Sequence, residues 1–146
     1  MKARIAVLSA GLAVMGPVFA AGMNIKPGLW EIQHKMDMPG ASMAVPPMTR
    51  QQCITAKDIA KGDEQLTHPQ PRPGEKCEMK DHSHTGDTYT LKMTCTDNGS
   101  TSTVDGKVMF DSATAYHGEF HIVGTAQGRT MHMTEHVSAR RVGDCK

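Results

Sequence analysis

The dipeptide Asn98-Gly99 stands between two runs of alternating apolar and polar residues, and this combination constrains the fold more than any other stretch of the chain. Asn-Gly suits a two-residue hairpin loop of type I′, in which both central residues need positive φ. A hairpin centred there sets Met93 opposite Val104, Leu91 opposite Gly106 and Tyr89 opposite Val108. Apolar residues then face apolar residues throughout, so turn chemistry and hydrophobic pattern specify one register independently. A loop over residues 111–115 next brings Phe110 beside Tyr116 and Phe120 over Gly106, where a ring can cover the missing side chain.

Similar patterns flank this hairpin. Strand 76–83 points Cys77 and Met79 inward and joins strand 88–96 around Gly86. The run "GLWEIQHKMDM" places Trp30, Ile32, His34, Met36 and Met38 on one face, with Glu31, Gln33, Lys35 and Asp37 on the other, as in a half-buried strand. Pro39-Gly40 turns the chain, and the Met- and Pro-rich stretch to Thr49 reads as extended or loop, because consecutive prolines at 46 and 47 are excluded from a central strand. Thr55 and Asp58 form a capping-box pattern for a helix of two turns at most, which Gly62 stops. Residues 63–75 read as a proline-rich surface linker. The expected fold is all-β: an antiparallel β-meander of five or six strands forming a curved sheet or a small barrel, with one short helix.

Residues 1–20 have the form of a secretory signal peptide, with Lys2 and Arg4 before the apolar run Ile5 to Phe19 and a cleavage site after Ala20. Residues 21–146 then form one domain with no membrane span, in the periplasm or secreted. Cleavage leaves 14 basic against 15 acidic side chains, which provides no basic footprint for nucleic acid. Only five aromatic residues remain beside ten methionines, so methionine must fill much of the core.

In an exported chain the 4 cysteines argue for two disulfides. Cys77 begins one strand and Cys95 ends its hairpin partner, at the same end and on the same face. Strand direction therefore favours Cys77 with Cys95 and Cys53 with Cys145; the runner-up is Cys53 with Cys77 and Cys95 with Cys145.

The chain also resembles the family described as domain of unknown function 3617, small exported bacterial proteins with four cysteines. The likeness rests on "KPGLWEI" at 26–32, the Met- and Pro-rich stretch, "QCIT" at 52–55, cysteines on either side of a Gly-centred hairpin, and "RRVGDC" at 140–145. It implies the cell envelope and a shared fold, and no activity, ligand or catalytic residue.

The chemistry-bearing residues are mostly histidines and methionines. "YHGEFH" and "MHMTEH" hold His117, His121, His132 and His136. If inward Phe120 and Ile122 face inward Met133 and Met131, His121 opposes His132 and His117 opposes His136, on the outer face. Positions four apart on a strand are separated by ~13 Å, so the four cannot share one ion. Each pair could hold a transition metal weakly, with Glu119 diagonal to His132 as a third ligand. Met36, Met38, Met43 and Met48, with His34 nearby, offer thioethers that suit Cu(I).

There is no GxSxG elbow, HExxH motif or phosphate-cradling glycine loop, and paired cysteines are unavailable as nucleophiles. Glu135, expected to face inward opposite Gly118, is the one acid or base candidate. The expectation is a non-catalytic binding or accessory module of the envelope that requires no cofactor, with copper the leading named ligand. The alternative is a lipocalin-like binder of an apolar small molecule. Its partners are not legible in the sequence.

Overall fold

A computed structural model of the chain describes residues 23–40, 45–62 and 73–146. The signal segment 1–20, Met43 and most of the linker lie outside the described residues. Seven strands form one antiparallel sheet: β1 (Gly28–Asp37), β2 (Met48–Ile54), β3 (Lys76–Thr85), β4 (Thr88–Asp97), β5 (Ser100–Ser112), β6 (Ala115–Ala126) and β7 (Arg129–Gly143). Their order is β2-β1-β7-β6-β5-β4-β3, so β3 to β7 are the expected meander and β1 closes onto its last strand. The sheet is curled, and its edge strands β2 and β3 do not pair into a barrel.

The hairpin at Asn98-Gly99 has the expected register, with Met93, Leu91 and Tyr89 opposite Val104, Gly106 and Val108. Asn98 and Gly99 take φ of 42° and 83°, as a type I′ loop requires. Phe110 pairs with Tyr116 and Phe120 with Gly106. The Phe120 ring lies so close that a Cβ on Gly106 would overlap its Cδ1.

Three features depart from the sequence reading. First, Met48–Ile54 is a strand, paired along β1 from His34↔Met48 to Gly28↔Ile54. The prolines that seemed to exclude a strand end just before it, and as an edge strand it needs a partner on one side only. Second, a bulge at Lys80 shifts the β3–β4 register, so His82 and His84 oppose Leu91 and Tyr89. Simple alternation gives those positions to Asp81 and Ser83; one extra residue reverses the faces beyond it.

Third, the β6–β7 hairpin is shifted by two residues. Phe120 opposes Glu135 and Ile122 opposes Met133. The cause is the turn: Ala126 pairs with Arg129 across a two-residue loop of Gln127 and Gly128, whose φ values are 52° and 75°. A shift of two preserves which side chains face inward but changes every cross-strand neighbour.

The short helix α1 (Ala56–Ala60) has the expected capping box, with Thr55 Oγ1 accepting from the Asp58 backbone N–H and the Asp58 carboxylate accepting from the Thr55 N–H. The Thr55 hydroxyl also donates to the Asp58 carboxylate, and this bond, with the one from the Thr55 N–H, holds the carboxyl below its ordinary pKa.

The core lies on the concave face. Trp30 and Tyr89 are fully buried, with Ile32, Leu91, Val108, Phe110 and Ala139 around them. Residues before β1 fold onto this face as well, burying Met23 and Ile25. They are held by a hydrogen bond from the Lys26 N–H to the Ala113 carbonyl and one from Trp30 Nε1 to the Lys26 carbonyl.

Both disulfides follow the favoured pairing. Cys77 and Cys95 are directly opposed residues of β3 and β4. Cys53 on β2 joins Cys145 beyond β7, so this bridge passes over β1, the strand that pairs with both. Two disulfides fit a non-reducing compartment. Among the described residues no helix is long and apolar enough to cross a membrane.

Candidate functional site in the concave face

The aromatic residues concentrate at one end of the concave face, where Trp30, Tyr116, Phe110, His84 and Tyr89 follow one another with ring centroids 5.5 to 6.1 Å apart. Toward the Asn98-Gly99 end the inward residues are smaller or unbranched, and packing stops short. A cavity of about 420 Å³ remains. Six of the seven strands contribute to its wall, as only a curled sheet allows. Its apolar lining includes Ile32, Met93, Val108, Phe110, Phe120 and Val137. The volume falls within the ~300–1,000 Å³ typical of small-molecule sites, and the mixture of an apolar wall with a few polar groups is also typical.

Those polar groups fall into two sets. On β1 and β7, His34 Nδ1–H donates to Glu135 Oε1 at 2.6 Å, both side chains being 23% exposed. Because a carboxylate only accepts, Glu135 holds the imidazole with Nδ1 protonated. The other ring nitrogen, Nε2, is buried and has no partner among the described residues. It is thus available to a ligand hydroxyl or a metal ion, with the carboxylate behind it fixing the ring.

Flanking them stand Arg50 and Gln52 of β2, the edge strand next to β1, with Asp58 of α1, and Tyr116 of β6, next to β7. Asp58 is engaged by Thr55. Burial raises the Tyr116 phenol above its ordinary pKa, and the positive charge of Arg50 partly offsets this.

The outer face carries the histidines of β6 and β7, and the two-residue shift rearranges them. His121 opposes Thr134, His132 opposes Val123 and His117 opposes Ser138, so neither expected histidine pair exists. Glu119, expected diagonal to His132, instead opposes His136. It bridges two rings, with Oε1 3.0 Å from His121 Nε2 and Oε2 3.3 Å from His136 Nδ1. His136 Nε2 also lies 3.2 Å from Asp37, and His117 Nδ1 lies 2.8 Å from Asp111. These are exposed ion-pairing contacts. The one group of three His, Cys or carboxylate donors within 4.8 Å among the described residues is Glu75 with Cys77 and Cys95, whose sulfurs are committed to the disulfide.

The methionines divide as well. Met48 opposes His34 across the β1–β2 pair and is 65% exposed; Met36 is half-buried opposite Glu135, and Met38 lies just beyond β1. An imidazole and two thioethers therefore share one margin of the concave face.

Sequence reasoning placed His34 and Glu135 on the inner face but did not join them, because it did not pair β1 with β7, the pairing that sets Met36 opposite Glu135 and His34 opposite Val137. Arg50 and Gln52 were missed along with β2. Their alternation with Thr49 and Gln51 is polar on both faces and leaves no hydrophobic signal.

A family model, described as Protein of unknown function (DUF3617), matches residues 25–145. The chain belongs to this family. The match takes in every described strand and all four cysteines, so disulfides and sheet belong to the family's own domain. No curated protein and no solved structure matches the chain.

Proposed function

We propose that this DUF3617 protein is an exported, non-catalytic binding module of the periplasm or cell envelope, and that it holds an apolar small molecule in the concave face of its sheet. The observation that carries the reading is the 420 Å³ cavity, lined mainly by aliphatic and aromatic side chains and marked by the His34–Glu135 couple. Copper stands first in the sequence and the apolar ligand second; the cavity reverses that order.

The test uses N-phenyl-1-naphthylamine, which fluoresces in apolar surroundings. The protein should bind it saturably. Val137→Trp, which fills the cavity from β7, should abolish binding while the far-ultraviolet circular dichroism stays unchanged. Equal probe binding by wild type and variant would place the probe elsewhere and sink the reading.

Copper remains as a second reading, supported by the shared margin of His34, Met48 and Met36. Imidazole and thioether donors suit Cu(I), and a carboxylate behind the imidazole is the usual second partner of a metal-ligating histidine. In competition with bicinchoninate, His34→Phe and Met48→Leu should each lose Cu(I). Retention by both variants would remove this reading.

A further inference from the structure

The charges around the cavity are unevenly satisfied. Of its two carboxylates, Glu135 accepts from His34 and Asp58 from Thr55. Its one arginine, Arg50, makes no hydrogen bond or ion pair among the described residues, and the same is true of the Gln52 amide and the Tyr116 hydroxyl. The unpaired side chains thus include a guanidinium, an amide N–H₂ and a phenol O–H, each a hydrogen-bond donor. Arg50 and Gln52 sit on β2 opposite Ile32 and Trp30, whereas Tyr116 reaches the cavity from β6; the curl brings the two walls together.

A guanidinium facing the cavity without a counter-ion complements an oxyanion, which it can bind through two parallel N–H···O bonds. The cavity below it is apolar and has room for one hydrocarbon chain. From this pairing we infer that the ligand is a single-chain amphiphile with a carboxylate head, its head bound by Arg50 and its tail laid along Ile32, Val108, Phe110 and Phe120.

The inference rests on the apolar-ligand reading and specifies its chemistry. Arg50 is exposed, so it stands at the mouth rather than the floor, and a ligand entering tail first meets it last. Asp58 and Glu135 oppose a second acidic group in the ligand, consistent with one charged end and one apolar end.

The experiment compares dodecanoate with dodecanol as competitors for N-phenyl-1-naphthylamine at neutral pH, in wild type, Arg50→Gln and Arg140→Gln. Arg140 pairs with Glu31 on the outer face, so its replacement controls for loss of one positive charge. Wild type and the Arg140 variant should prefer dodecanoate over dodecanol by about tenfold, the size of a charge-assisted contact. Arg50→Gln should reduce the preference to near unity while leaving dodecanol binding within about twofold. Equal affinity for acid and alcohol in wild type, or a preference surviving in Arg50→Gln, would overturn the inference and leave the apolar-ligand reading standing. Failure of both competitors to displace the probe would overturn both.

Discussion

The two ends of the concave face are built from one sheet and packed to different degrees. At the end of the Gly86 and Ala113-Thr114 turns, Trp30 and Tyr89 are fully buried and aromatic rings touch from β1 to β3. At the end of the Asn98-Gly99 and Gln127-Gly128 turns, Met93, Val104, Phe120 and Val137 are only partly buried. The first end makes the domain stable and the second makes it hollow. A chain with few aromatic residues can close one end of a curled sheet well, and here the shortfall leaves a cavity.

Stability measurements can break this comparison. Trp30→Ala should cost ~3–5 kcal/mol in urea denaturation, as for a large aromatic removed from a packed core, and Ile122→Ala at the open end under ~2 kcal/mol, since its wall already faces space. Similar values would mean that the cavity is filled in solution.

Glycines give a second contrast. A Cβ on Gly106 would overlap the Phe120 ring, whereas one on Gly124 meets nothing within 4 Å. Gly106→Ala should therefore lower stability by ~1–3 kcal/mol through displacement of Phe120, and Gly124→Ala should stay within ~0.5 kcal/mol. Thermal melts of the pair decide the matter.

The turns sharpen the comparison further. Gly99→Val should destabilise by more than ~1 kcal/mol, because a β-branched residue is forced to φ near 83°. Gln127→Gly should stabilise by up to ~1 kcal/mol, because it relieves a non-glycine residue at φ 52°.

The smallest effect is electrostatic. The raised pKa of Tyr116 means that the folded protein resists forming the phenolate, so its contribution to stability is intact below pH ~10 and is lost as pH rises through the folded-state value. In a Tyr89→Phe background, absorbance at 295 nm should show Tyr116 ionising late. Arg50→Ala should delay it further, since the guanidinium favours the phenolate; an earlier transition would place Arg50 away from the phenol.

The two hairpins at the open end show what a single sequence discloses. Asn98-Gly99 announces its turn, and the apolar pairs on either side confirm one register. Gln127-Gly128 adopts the same backbone signs without announcing them, since glutamine is an unusual occupant of positive φ. The facing residues Phe120, Ile122, Met131 and Met133 fit two registers equally well by hydrophobicity alone. What selects the observed one is the turn, which closes Ala126 onto Arg129 across two residues. Faces were therefore legible and neighbours were not, and a site made of neighbours stayed hidden. The β3 bulge failed for a similar reason, because no residue type marks Lys80 as the one left unpaired. The cysteines were readable because strand direction alone separates the pairings.

The bridge from Cys53 to Cys145 has a consequence for the cavity itself. β2 carries Arg50 and Gln52, pairs on one side only, and is fastened to the rest of the fold by β1 and by this bond across a sequence separation of 92. Closing so long a loop removes ~4–5 kcal/mol of freedom from the unfolded chain. Loss of this bond therefore loosens the wall that carries Arg50 and Gln52, since β2 is then held to the sheet by its pairing with β1 alone. If the concave face holds the proposed ligand, oxidation completes its wall, and a chain in which this bond has not formed should bind more weakly.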